Sequence, residues 1–233
     1  MREAVAQAAV FPLEDREWLP KIFIGGAIGL ALEGLFVVSG FLLSRELALE
    51  ISPLAQAGNF PALGFVLQVF KGALAAPQAH RMPDWRRWPA LSLQGLLFFI
   101  LVMSYGAIPL LLVISGLGLL MRGGVELALG LAMMLLGMLA GLTLGFFLPM
   151  GVARYLEERR VEAAFHPARV WSRIRRVLAD YVAAYLICIG SFIVIGLVGA
   201  VPLLGVVVWP FVTFYLMVAG ARLFGGVCSG AGR

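Results

Sequence analysis

The chain has 233 residues, 61% of them hydrophobic and 13% charged, and its mean hydropathy of +0.96 lies well above that of water-soluble domains. These values exclude an ordinary soluble enzyme or binding domain, since no polar block is long enough to bury a core of its own. The net charge of +5 does not point to nucleic acid, because the basic residues flank apolar runs, where they act as orientation signals and contacts to anionic lipid.

The expectation is an all-α polytopic membrane protein, a single integral membrane domain over residues 1–233 with six transmembrane helices and interfacial amphipathic helices. Residues 1–21 form an interfacial N-terminal collar, in which Trp18 suits the headgroup level and Lys21 can snorkel out of the first span. The run from Ile22 to Leu43 is too long for a cleaved secretory signal and should remain as an anchor. It holds thirteen Ile, Leu, Phe and Val residues, each favouring insertion by about 0.3 to 0.6 kcal/mol, against roughly 3 kcal/mol for the one acid at its middle, Glu33. Gly26, Gly29, Glu33, Val37 and Gly40 recur at spacings of three and four, so the acid shares a helix face with small residues, a face that should meet another helix.

The second apolar stretch, residues 51–74, carries Pro53, Gln56, Asn59, Pro61 and Gln68. It either crosses fully from about Leu54 to Leu74 or dips in and returns, because two prolines and an asparagine interrupt its first turns. A basic turn follows with Lys71, Arg81, Arg86 and Arg87, and with Trp85 and Trp88. The third span lies within Ala90–Met121, with Ser104 and Tyr105 near its centre and a kink expected at Pro109. In the fourth, Leu127–Met150, Gly137, Gly141 and Gly145 repeat every four residues, a doubled G-x-x-x-G ridge that serves helix packing.

Residues 152–180 form a cytoplasmic amphipathic linker. After Pro167 the apolar Val170, Trp171, Ile174, Val177 and Leu178 recur at helical spacing with arginines on the other side, as in a helix lying in the interface plane. Trp171, Arg173 and Arg176 join Trp18, Trp85 and Trp88 as expected interfacial anchors. The fifth span runs from Tyr181 to about Ala200 and contains Ser191; Gly199–Gly205 is a tight turn, and the sixth span, from Val206 to about Gly225, contains Tyr215. With six crossings, sixteen of the eighteen basic residues share the side of both termini, leaving Arg45 and Arg122 opposite. That asymmetry predicts a multi-pass protein of the inner (cytoplasmic) membrane with both termini in the cytoplasm.

Several short motifs resemble a prokaryotic family of multi-span membrane proteins known as domain of unknown function 4013. They are Phe11, Pro12, Asp15, Trp18, Lys21, Gly25 and Gly26; Gly64 and Phe65 through Lys71; Pro83, Asp84, Trp85 and Trp88; Ala153, Arg154, Tyr155, Ala164 and Phe165; and Ala221 through Gly225. The sequence departs from the family pattern in its extra length between Leu43 and Gly64 and in Phe65, where the family more often has Tyr. The resemblance supports the architecture and supplies no activity.

Placed at their spans' midpoints, Glu33, Ser104, Tyr105, Ser191 and Tyr215 share one depth and form a candidate intramembrane polar layer. Burial disfavours a charged carboxyl, so Glu33 is read first as a neutral acid donating to a Ser or Tyr across a helix interface. The alternative is a group that takes and releases a proton or binds a cation. No nucleophile elbow, P-loop, H-E-x-x-H or paired-carboxylate pattern is present, nor any spacing that calls for a metal or cofactor. His80 and His166 lie in polar loops without partners at ligand spacing. The reading is therefore a non-enzymatic scaffold or accessory subunit that packs against other membrane proteins or against copies of itself, with anionic lipid at its cytoplasmic face. A small transporter or channel built on the polar layer is the alternative.

Overall fold

The computed structural model describes residues 2–42, 58–77, 81–199 and 204–232, with the side chains of residues 2, 32–42, 198, 204 and 206 outside that description. The described residues are helical throughout, with no strand. Eight α-helices follow in order: α1 (Arg2–Glu14), α2 (Trp18–Leu42), α3 (Phe60–Ala75), α4 (Trp88–Leu120), α5 (Glu126–Glu158), α6 (Pro167–Arg176), α7 (Leu178–Gly199) and α8 (Leu204–Ala231). Single 3-10 turns precede α4 (Trp85–Arg87) and α6 (Val161–Phe165). Among the described residues four stretches are long and apolar enough to cross a bilayer, Trp85–Leu120, Glu126–Glu158, Leu178–Leu197 and Val207–Ala231, and two shorter apolar ones are Trp18–Ala31 and Phe60–Ala75. Lipid cannot hydrogen-bond a peptide group, which is why an apolar chain of this composition satisfies its backbone within helices.

Two compact units emerge, the first of residues 1–99 and 174–233, the second of residues 100–173. In the first, α8 is the central helix and packs against α1, α2, α3 and α7. The glycine face expected on α2 meets it. A Cβ on Gly26 would lie 2.8 Å from the Phe211 backbone, one on Gly25 would overlap the Phe214 ring, and one on Gly29 would sit 3.2 Å from Pro210. Hydrocarbon is as apolar as these side chains, so contact between helices rests on close packing of small residues.

The second apolar stretch contributes α3, whose 16 residues reach only about 24 Å, short of a roughly 30 Å hydrocarbon core. Its position explains its composition. Ala62, Gly64, Phe65, Val66, Leu67, Val69, Phe70 and Ala73 are all buried, around the helix and not on one stripe. The helix begins after Asn59 with Pro61 in its first turn, where a missing N–H costs nothing. It runs antiparallel to the start of α4, and the two backbones nearly touch. A Cβ on Gly64 would fall 1.9 Å from the Leu91 carbonyl oxygen, and one on Gly95 would fall 1.7 Å from that of Phe60. Gln68 Nε2 donates to Gln94 Oε1 across the same seam at 2.9 Å.

In the second unit, α4 and α5 form a hairpin turned by Gly123 and Gly124, both at positive φ. The Gly116 and Gly130 backbones meet, Gly137 packs on Leu112, Val113 and the Pro109 carbonyl, and Gly141 faces the Pro109 ring. Gly145 is half-buried one helical repeat further along the same row. At its far end α5 stops at Arg159, a non-glycine residue at φ 54°, whose N–H closes on the Tyr155 carbonyl at 2.8 Å. The following 3-10 turn folds back onto α5.

Because backbone atoms cannot move aside as a side chain can, Gly64→Ala and Gly95→Ala should each cost about 1–3 kcal/mol of stability. Gly106→Ala and Gly118→Ala, where nothing lies within 4 Å, should leave the protein as stable or slightly more so. Thermal unfolding of the four variants in one detergent checks this; equal melting of Gly95→Ala and Gly118→Ala would rule out the close α3–α4 seam.

Candidate functional site

The most elaborate polar cluster among the described residues is at the collar of the first unit. Asp15 follows the end of α1 and accepts the Glu17 N–H on Oδ1 at 2.9 Å, a turn that aspartate favours. One helical turn into α2, Lys21 places its Nζ 2.9 Å from Asp15 Oδ2, and both residues are only 7% exposed. The remaining partners come from the turn before α4. Met82 donates its N–H to Asp15 Oδ2 at 2.8 Å and accepts from Lys21 Nζ on its carbonyl at 3.3 Å, while Asp84 Oδ1 lies 3.4 Å from the same nitrogen. Trp85 closes the circuit by donating Nε1–H to the Lys21 carbonyl at 3.0 Å. Its ring stacks on Phe65 with centroids 4.6 Å apart and lies 6.0 Å from Phe214.

Two other cations tie polar ends of the first unit together. Arg222 stands 4.9 Å above the Phe11 ring and donates to the Pro77 carbonyl, and Arg176 donates to the carbonyl of Ala231. The start of the chain, Pro77, residues 81–88 and the end of α8 therefore share one end of this unit.

The residues singled out from sequence fall as follows. Glu33 lies on α2, and its side chain is outside the described residues, as are His80 and most of the Gly199–Gly205 turn. Ser104 donates to the Ile100 carbonyl of its own helix, and Tyr105 to the Ala164 carbonyl at 2.5 Å, its ring stacked on Phe165. Tyr215 donates to the Ala9 carbonyl of α1. Ser191 lines a small apolar groove of about 80 Å³ between α1, α7 and α8, with Val5, Ala8, Cys188 and Gly220. Of the expected anchors, Trp18 is half-buried, Trp88 and Trp171 are exposed, and Trp85 is turned into the bundle. Arg173 pairs with Glu157. On α6 the apolar Val170 and Ile174 are 1% and 0% exposed, while Trp171 is exposed.

Sequence reading passed over Arg154. Its side chain is buried in the second unit against Glu158, with Nη1 making no hydrogen bond. A cation four residues before an acid is a common surface pair, so nothing in the spacing marks it as buried.

Compared with known proteins, residues 52–204 match a family described as protein of unknown function (DUF4013). The matched range contains the Gly64–Lys71, Pro83–Trp88 and Ala153–Phe165 motifs, whereas Phe11–Gly26 and Ala221–Gly225 lie outside it. No curated protein and no solved structure matches.

Burial alone would raise the Asp15 carboxyl, but the hydrogen bonds from Glu17, Lys21 and Met82, with the Lys21 charge, outweigh it and hold the group below its ordinary 3.8. A lowered folded-state pKa stabilises the protein above the unfolded value and loses that contribution as pH falls through the folded one. The melting temperature should therefore fall with an Asp15 contribution only below about pH 4. At pH 7, Asp15→Asn should cost about 1.5–3 kcal/mol by removing the one buried carboxylate of Lys21 and leaving it the exposed Asp84 and Glu17, and it should flatten that acid limb. A variant that melts with wild type at pH 7 would refute the pairing.

Proposed function

The chain belongs to the DUF4013 family of proteins of unknown function, and from that premise we propose that it is a multi-pass inner-membrane scaffold or accessory subunit. It acts by packing against other membrane proteins or against copies of itself. The observation that carries this reading is the α4–α5 hairpin. Each of its helices has 33 residues, about 50 Å, against a roughly 30 Å hydrocarbon core. Large apolar side chains are exposed along both, among them Ile108, Leu111, Ile114 and Leu117 on α4 and Leu127, Leu131, Leu135 and Met138 on α5. The apolar exposure suits lipid and helix neighbours alike; the length, beyond what one hydrocarbon core needs, fits a surface completed by neighbouring helices.

The hydroxyls favour the same reading over transport. Tyr105 and Tyr215 each donate to a backbone carbonyl of another segment and so join elements, while Ser104 donates within its own helix. The alternative, transport through a polar layer around Glu33, needs such groups turned to a wet path.

For topology, the hydrogen bonds from Met82 to Asp15 and from Lys21 to Met82 put the collar and the turn before α4 on one face. This favours an even number of crossings between them, with α2 leaving that face and α3 returning to it. This supports six crossings with both termini cytoplasmic, and a second span whose inner part is the short buried α3, over a dip that returns to the far side. The Arg222–Pro77 and Arg176–Ala231 bonds put the C-terminus at the same end.

Native mass measurement in mild detergent tests the role. The expected result is an assembly heavier than one 25.1 kDa chain, as a homo-oligomer or with a co-purifying membrane protein. A clean monomer whose reconstituted vesicles pass protons, and stop doing so on Glu33→Gln, would replace the scaffold with a transporter. Labelling single cysteines from outside intact cells should mark position 123 and spare position 84; the reverse pattern would invert the orientation.

A further inference from the structure

At the collar and the turn before α4 three carboxylates face one ammonium, the buried Asp15 and the exposed Asp84 and Glu17 lying 2.9, 3.4 and 3.9 Å from Lys21 Nζ. Glu14 acts on Arg222. Arg16, Lys71, Arg81, Arg86 and Arg87 are exposed around this knot, and none of them is in an ion pair with a described residue. Lys21 thus engages the nearest carboxylates, Asp15, Asp84 and Glu17, and these five cations are left without an acidic partner among the described residues. Beside these cations in the chain, Leu19 and Phe23 on α2 and Leu93 on α4 are exposed apolar side chains, and the Trp88 indole is exposed with them.

From this arrangement we propose that the collar is a binding surface for phosphate-bearing anionic lipid headgroups, held by Arg16, Lys71, Arg81, Arg86 and Arg87 while the acyl chains lie along the exposed faces of α2 and α4. The surface matches such a lipid in charge and in apolar character. Guanidinium groups pair with phosphate oxygens through two parallel hydrogen bonds, which favours arginine at four of the five positions. An acidic soluble protein would match the charge but not the exposed apolar side chains beside it. The Lys21 knot is a positioning device here: Met82 and Trp85 are bound to it, and they fix the turn that carries Arg81, Arg86 and Arg87.

The proposal rests on the reading of this end as lying at a membrane surface, and it does not depend on whether the protein is a scaffold. The test uses the full chain purified with defined lipids of matched acyl length, one anionic (phosphatidylglycerol) and one zwitterionic (phosphatidylcholine), with retention read by native mass spectrometry. Wild type should retain the anionic lipid roughly tenfold or more over the zwitterionic one at low salt, a preference that shrinks in 0.5 M salt, about the size several basic groups near an anionic surface give. Arg81→Gln with Arg86→Gln and Arg87→Gln should abolish most of the preference, Arg→Lys at the same three positions should keep part of it, and Arg122→Gln should leave it unchanged. Equal retention of both lipids by wild type, or undiminished preference in the folded triple glutamine variant, would overturn the proposal. So would millimolar inorganic phosphate displacing the lipid, since a free-anion site would then explain the charge. A monomeric mass with intact lipid preference would remove the scaffold and leave this surface standing.

Discussion

An ammonium group at the mouth of an apolar helix has to be given anionic and carbonyl partners before it can be taken out of water, and much of the first unit is arranged around meeting that demand for Lys21. Two separate segments supply the partners: the turn before α2 gives Asp15, and the turn before α4 gives the Met82 carbonyl and Asp84. Removing a charge from water costs several kcal/mol unless it is both paired and hydrogen-bonded. Here the lysine has two carboxylates within 3.4 Å and a carbonyl at 3.3 Å, while Asp15 accepts from three donors. Trp85 then carries the order inward, from the Lys21 carbonyl to the Phe65 and Phe214 rings.

Away from the collar a different physics holds the helices together. In hydrocarbon the transfer of apolar surface out of water no longer drives association, so shape and small residues decide which faces meet. The same device appears in both units with different partners. On α2 glycines receive proline and aromatic side chains of α8, whereas at Gly64–Leu91, Gly95–Phe60 and Gly116–Gly130 backbone approaches backbone. The two kinds of seam differ in tolerance. A ring can turn aside for a methyl group, and a carbonyl in a helix ladder cannot.

What the sequence revealed follows the range of its signals. Membrane class, the glycine face of α2 and the packing row on α5 are local or periodic features, readable from composition and from spacings of three and four. The shortness of α3 was announced by Asn59 and Pro61, though its burial on all sides was not, since that depends on α8 and α4 closing around it. Trp85 and Trp88 stand three apart and read alike, yet one is a core residue and the other borders the solvent-exposed collar. Nothing within the segment distinguishes them; the distinction comes from Phe65 and the Lys21 carbonyl, 20 and 64 residues away in sequence. The N-terminal collar and the basic turn with Trp85 and Trp88 read as separate segments. That they bind each other is invisible to any periodicity, and Arg154 was hidden for the converse reason, because a buried guanidinium and a surface one have the same i,i+4 neighbour.

Asp15 and Met82 are 67 residues apart. At about 5–20 residues per second of synthesis, on the order of 3 to 13 seconds pass between their emergence from the ribosome. Through that interval Asp15 and Lys21 have each other and water, and their position at the edge of the apolar region makes the wait tolerable. The same pair set at the depth of Gly29 would have entered hydrocarbon with half its partners not yet made. The collar thus behaves as a latch that synthesis closes late: Asp15 and Lys21 gain their remaining partners only once Met82 and Asp84 have been made.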